Sequence, residues 1–437
     1  VKVVREILAE QLVLRQIVVY IGQSQKTGIK NSQTRCEVSF ERNGMMNLET
    51  NTRINWVAAW YAAPVRMLSA SLSGRTFRQQ VHLHAGGSQI RLRLSNRYGD
   101  DAITLSSVSV ENVNKNPLLV SQAHVVHFEG NPTVTLEPGQ EIMSDPVMMQ
   151  VDAFSNMAIT FYLAQGEALT GHSGARQISA ISGIANVTKM PREASFLAYP
   201  LLTVSWWLIS GVDVLPSQPL NAIVTFGSST TDGYGSTPNE NRRWPDYLAR
   251  RLTNAGEARF MSVINAGIDA NQLTSSAIPL PPGLMIPPFL FGDAGLQRLN
   301  WDVLAQPSAT DLVVHIGSND LRLGVAGSTV IEGFQQLSQQ VRRTYRKVFG
   351  TTILPGGYSA PQAEQYQLVN TWIREQGHPW FDAVFDFASA LASPDQKAVL
   401  NPLYDSGDGL HPNDEGYRVM ADAVDISQLS GSPDAAT

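Results

Sequence analysis

Between Asn55 and Leu215 apolar and polar positions alternate over short stretches. In "QIRLRLSN", Ile90, Leu92 and Leu94 alternate with Arg91, Arg93 and Ser95. This two-residue period gives a strand one core face and one polar face. "AITLSSVSVE", "HVVHFEG", "TVTLEPG" and "MAITFYLAQG" repeat the theme, each ended or followed closely by Gly, Pro or Asn. Few helical windows lie among them, so the pattern predicts an all-β, jelly-roll-like sandwich domain over residues 51–215. After Pro216 the rhythm changes. "NAIVTFG", "RFMSVINAG", "DLVVHIGSND", "GTTILPGG" and "DAVFDFAS" are nearly continuous apolar runs, the signature of strands buried on both faces. Helical windows fall between and around them at Trp244 to Ala255, Ala294 to Leu304, Thr329 to Val348, Ala363 to Gln376 and Asn413 to Val424. Strand alternating with helix predicts an α/β domain over residues 216–430, a parallel sheet with helices on both faces, followed by a tail at 431–437. Ligands of such sheets bind at the carboxyl ends of the strands. Gly227, Gly267, Gly317 and the loop before His411 are therefore where chemistry is sought.

A chain of 437 residues also exceeds the roughly 250–300 at which single cores stop growing, which agrees with two domains. Residues 1–50 follow neither pattern. An amphipathic piece interrupted by Arg5, Glu6, Glu10 and Arg15 leads into a polar stretch, read here as a poorly ordered extension with a natural start at Met45 or Met46. Those charges argue against a signal-peptide core or a membrane span, and no other stretch reaches the roughly 18 apolar residues that a spanning helix needs. The formal net charge of -6 offers no basic excess to neutralise phosphates, so nucleic acid is excluded as a partner. A single cysteine, Cys36, leaves no intrachain disulfide and no cysteine-rich metal site.

Four candidate elements fall at the predicted carboxyl ends of strands. "IVTFGSSTTDGYGS" ends a strand at Gly227 and turns into a helix, where Ser229 is either a helix cap or a nucleophile. It lacks both the Gly-Lys-Ser/Thr ending of a phosphate loop and the closing glycine of a nucleophile elbow. "INAGIDANQL" ends a second strand with a turn whose N–H groups can receive negative charge. "HIGSND" ends a third, and Asn319 and Asp320 read either as a local turn or as an amide donor for an oxyanion. "YDSGDGLHPNDEGYRVMADAV" offers Asp408 and His411 three residues apart, a spacing that fits an oriented imidazole, a helix cap or a metal site with Asp405. His82, His84 and His315 lie in strand-like settings and read as packed side chains.

This order of elements resembles the GDSL or SGNH hydrolase family of lipases and esterases. Gly227, Ser228, Ser229, Thr230, Thr231, Asp232 and Gly233 stand at the family's opening block. Asn265 to Asn271 resembles the second block, Gly317 to Asp320 the third, and Asp408 to Asn413 the last. The likeness covers about Ala222 to Val424, and "WVAAWYAAP" and "SNRYGD" upstream are similar to the N-terminal domain of a two-domain bacterial branch. The resemblance implies a flavodoxin-like SGNH sheet and ester hydrolysis through an acyl-enzyme. It implies Ser229, Asp408 and His411 as the catalytic triad, and the N–H groups of Ser229 and Ala270 with the Asn319 amide as the oxyanion hole. It implies no cofactor and no metal, and a secreted or periplasmic setting. Two positions depart from the pattern: Ser228 replaces an aspartate, and Ala270 a glycine, which is harmless provided the turn does not require positive φ.

The Pro-rich, apolar segment "IPLPPGLMIPPFLFGDAG" is either a packed connector or an acyl-pocket wall, with Phe289 and Phe291 as candidate substrate-binding residues. Expected substrates are short-chain acyl, aryl or acetylated-carbohydrate esters, either small molecules or linked to polysaccharide. Trp56, Trp60 and Tyr61 read as core or as a sugar platform. An acyltransferase with the same triad and a non-catalytic carbohydrate-binding protein with a decayed hydrolase domain are the competing readings.

Overall fold

The computed structural model describes residues 55–68, 72–113, 122–189, 198–276 and 291–433. The expected extension over residues 1–50, the end of the tail and Phe289 lie outside the described residues. Residues Arg53–Thr437 form one compact unit.

The strands up to Leu215 are antiparallel and form three sheets. In one, Val57–Tyr61, Ile209–Leu215, Gly87–Ser95 and Glu141–Met143 lie side by side, with Val147–Val151 also paired to Gly87–Ser95. The largest centres on Arg75–His82, Asn156–Gln165 and Ile103–Asn112. A small third sheet joins Val65–Arg66, Thr170–His172 and Trp206–Trp207. The alternation along residues 90–95 places Ile90, Leu92 and Leu94 at 0% exposure. The opposite face departs from the expected polar surface, because Arg93 is buried beside Gln306 of the second half. Arg91 and Arg93 both face Asp213 on the neighbouring strand, which supplies the carboxylate a buried guanidinium requires.

From residue 222 every strand pairing is parallel. The strands are β1 (Ala222–Gly227), β2 (Ser262–Gly267), β3 (Ala309–His315), β4 (Lys347–Thr351) and β5 (Ala383–Phe385), in the spatial order β2-β1-β3-β4-β5. That is the 2-1-3-4-5 order of flavodoxin-type sheets. Both faces are covered, which explains the unbroken apolar runs. Ile223 and Val313 join the core beneath α2 (Trp244–Asn254) and α5 (Asp414–Asp422). Val224 and Val314 join the core under α3 (Gly327–Val341) and α4 (Ala360–Gln376).

Two expected elements move. The window from Thr329 to Val348 contains a helix that stops at Val341, and the apolar run after it belongs to β4. "GTTILPGG" contributes only its first two residues to that strand, because Pro355, Gly356 and Gly357 turn the chain away from the sheet, both glycines at positive φ.

The antiparallel and parallel parts share a core and a buried polar seam. Tyr61 donates to Asp302 at 2.7 Å, and Asp302 also receives Arg97 at 3.2 Å and Arg298 at 2.8 Å. Trp60 packs edge-on against Trp206, with ring centroids 4.9 Å apart. Trp60 and Tyr61 are thus core, which disfavours the sugar platform; Trp56 lies against the Arg91 guanidinium.

Arg298 ties this seam to the sheet edge. Fully buried, it donates to the carbonyls of Gly227 and Ala266 at 2.9 Å each, to Asp302 and to Asn271 Oδ1. Arg298→Met should destabilise the protein by about 3–5 kcal/mol, since it removes the donor to Asp302 Oδ2 and three further buried hydrogen bonds at once. Urea unfolding of the purified chain measures this directly.

Candidate active site

Gly227 ends β1 where the chain must turn sharply. A Cβ there would lie 2.1 Å from Thr231 Oγ1 and 2.5 Å from the His315 carbonyl, so only glycine lets the next turn fold back. That turn is α1 (Ser229–Asp232). Ser228 precedes it without making a side-chain cap. Ser229 does not cap either: its Oγ lies 2.9 Å from His411 Nε2.

His411 is held from its other side. Its Nδ1 is 2.5 Å from Asp408 Oδ2, while Asp408 Oδ1 accepts the backbone N–H groups of Leu410 and His411 at 2.8 Å each. Burial pushes the Asp408 carboxyl up, but His411 and these two N–H groups outweigh it and hold the group down at about 2. Asp405, the third member of the alternative metal set, accepts the N–H groups of Gly407 and Gly409 and so shapes the loop. Asn413 caps α5 by accepting the Gly416 N–H, fixing where the loop ends. The Tyr234 ring covers the His411 imidazole, with centroids 4.4 Å apart.

The second and third motifs join beside this chain. The Asn319 amide donates to the Asn271 carbonyl at 2.9 Å, leaving its second N–H. Asp320 accepts the Leu273 and Thr274 N–H groups at 2.8 and 2.9 Å, so neither residue is a local turn former. Gly267 brings β2 against α1, since a Cβ there would lie 2.3 Å from the Asp232 nitrogen. Among the described residues no acceptor takes the N–H of Ser229 or Ala270.

Ala270 sits at φ 57°, so the condition for a harmless alanine is not met. A left-handed alanine costs roughly 1–2 kcal/mol, of which glycine's extra freedom in the unfolded chain would return about 0.5–1. Ala270→Gly should therefore stabilise the protein slightly, by up to about 1 kcal/mol, readable as a rise in Tm.

Phe291 is buried and its carbonyl accepts the Asn271 side-chain amide at 2.8 Å, tying it to the turn that carries Ala270. His84 and His315 are buried and hydrogen-bonded, to Val263 and Asp246 in one case and to Thr351 in the other. His172, Arg176, Asp232 and Asp269 converge behind α1 and were not singled out from the sequence. His172 meets Asp232 from 60 positions away and Arg176 meets Asp269 from 93, so no local pattern announces them; the placement of Asp232 inside the opening block is the one available signal.

A doubly wound sheet carrying a hydrogen-bonded serine, imidazole and carboxylate at its carboxyl edge has the architecture of a serine hydrolase. Residues 225–419 match the GDSL-like Lipase/Acylhydrolase family. This part of the chain is similar to the GDSL-like lipases and acylhydrolases, and the antiparallel strands up to Leu215 lie ahead of the match. Comparison with curated proteins finds no match. Among solved structures, a GDSL-like lipase from Bacteroides thetaiotaomicron is 20% identical, with 48% of this chain and 91% of that one covered and a TM-score of 0.35. A carbohydrate acetylesterase from Sinorhizobium meliloti is 16% identical over 46% of this chain and 95% of that one, TM-score 0.34. An active-site mutant of a family two carbohydrate esterase from Clostridium thermocellum is 14% identical over 79% of this chain and 91% of that one, TM-score 0.33. No helix among the described residues is long and apolar enough to cross a membrane.

Proposed function

We propose that the protein hydrolyses carboxylic esters through an acyl-enzyme on Ser229. The reading is carried by the continuous chain from Ser229 Oγ through the His411 ring to Asp408. His411 Nε2 removes the hydroxyl proton as Oγ attacks the ester carbonyl, then delivers that proton to the leaving alcohol. A water molecule, deprotonated by the same nitrogen, releases the acid. Asp408 keeps the Nδ1 proton in place and stabilises the imidazolium.

The oxyanion is received by the N–H groups of Ser229 and Ala270 and by the remaining N–H of Asn319. The free state of the first two and the anchoring of Asn319 on Asn271 support this assignment. Phe289 and Phe291 are assigned to the acyl side, supported by the attachment of Phe291 to Asn271. Short acyl groups on aryl alcohols or sugars are the proposed substrates. A panel of nitrophenyl esters of increasing acyl length and acetylated sugars, run beside Ser229→Ala, tests the reading; absence of serine-dependent turnover on every ester would refute it.

A further inference from the structure

The antiparallel part reaches into this site through one turn. From the strand Thr170–His172, His172 Nε2 approaches Asp232 Oδ1 at 2.9 Å, while its Nδ1 lies 2.9 Å from the Ala63 carbonyl. Asp232 is the last residue of α1. Arg176 donates to Asp269 Oδ2 at 3.3 Å, next to Ala270, and its guanidinium lies 4.4 Å from the centre of the Tyr234 ring that covers His411. Gly174, between them, has no room for a side chain: a Cβ would lie 2.5 Å from Asp232 Oδ2 and 3.0 Å from Asp269 Oδ2. One turn therefore touches the Ser229 helix, the turn carrying Ala270 and the aromatic wall of the imidazole.

The two carboxyl groups are not fully served by cations. Asp232 Oδ2 and Asp269 Oδ2 both border the same small space beside Gly174, which sets the two carboxyl groups close together. Among the described residues, Asp232 Oδ2 and Asp269 Oδ1 are buried without a donor. Ionised carboxylates only accept, so a hydrogen bond between two of them requires a proton on one. His172 faces acceptors on both sides and satisfies them only when both ring nitrogens carry hydrogen.

We propose that the turn from His172 to Arg176 is a positioning element of the esterase site, holding Asp232 and Asp269 as a pair that shares one proton and locks α1 to the oxyanion turn. The inference rests on Ser229 being the nucleophile. None of the four side chains touches the reacting atoms; they fix the distance between Oγ and the N–H groups that receive the oxyanion. Burial and the Asp232 charge push the Asp269 carboxyl up to about 7, against the pull of Arg176 and His172. Burial drives His172 down, but Asp232 and the Ala63 carbonyl overcome this and raise it. Both raised groups stabilise the fold most at low pH and lose that contribution as pH rises through their folded values. Loss of the shared proton sets two anions side by side and loosens the lock. Other groups facing the cluster are Tyr417, Arg243 and Tyr234, and the small cavity of about 30 Å³ beside His172 and Asp232 is also lined by His82, His84 and Asp246.

The test is the kcat and KM of the full chain on nitrophenyl acetate between pH 5.5 and 9.5, with Ser229→Ala as reference. His172→Ala should lower kcat by about 10- to 100-fold with KM nearly constant, the effect of misplacing a reacting group by about an ångström, and His172→Gln should recover part of it. Asp269→Asn, which mimics the protonated carboxyl, should shift the alkaline limb to higher pH. An unshifted limb in Asp269→Asn overturns the proposal, as does His172→Ala with unchanged kcat; if His172→Ala does not fold, the Asp269→Asn profile alone decides. Should Ser229→Ala keep wild-type activity, the esterase reading itself falls; an inert Ser229→Ala beside an unshifted Asp269→Asn removes only the positioning role.

Discussion

Replacing Ser229 by alanine is expected to lower kcat for ester hydrolysis by about ten thousand- to a million-fold. The hydroxyl is the only group on α1 within hydrogen-bond reach of the His411 ring, and no neighbour can substitute for it geometrically. Ser228 is adjacent in sequence but lies before the helix, buried, where it makes no cap. Ser228→Ala should therefore keep most of the rate. The pair is a control for register: the reverse outcome would place the nucleophile one residue earlier and dissolve the contact with His411. Initial rates on nitrophenyl acetate, with near-ultraviolet circular dichroism to confirm folding, make the measurement.

Asp408→Asn should lower kcat by about a thousand- to ten-thousand-fold while KM changes little. The reason lies in which oxygen is already engaged. Asp408 Oδ1 accepts two backbone N–H groups, so the asparagine carbonyl must stay there and its NH2 must face His411 Nδ1. Nδ1 then accepts, Nε2 carries the proton, and the ring can no longer take one from Ser229. The carboxyl of Asp408 is held at about 2. Its depressed value contributes stability above roughly pH 4, lost as pH falls toward 2. Protonation of Asp408 therefore does not limit wild-type activity in mild acid, and the asparagine variant should stay impaired across the same range.

Much of the parallel half was legible because its physics is local. Strands buried on both faces read as apolar runs, and Ile223 and Val224 show why: consecutive residues enter opposite cores. Ser229, Asn319, Asp408 and His411 were legible through the order of short motifs at strand ends. The burial of Arg93 was not legible, because alternation records only that a face is polar, not that Gln306 of the second half and Asp213 of the neighbouring strand meet it. The end of α3 was missed because the apolar period of the helix runs on into β4. Ala270 posed a conditional question that only a dihedral angle could answer. The convergence of His172, Arg176, Asp232 and Asp269 was invisible because it depends on the docking of two sheet systems, and nothing in the residues around them along the chain marks it.

The central claim is that Ser229 becomes covalently acylated. Incubation of the full chain with a fluorophosphonate, followed by proteolysis and mass spectrometry, should add one phosphonyl group per molecule on the peptide containing residues 228–232, with fragment ions assigning it to Ser229, in step with loss of ester hydrolysis. Complete inactivation with the label on Ser228 or on any other residue, or full hydrolytic activity with Ser229 already modified, would contradict the account.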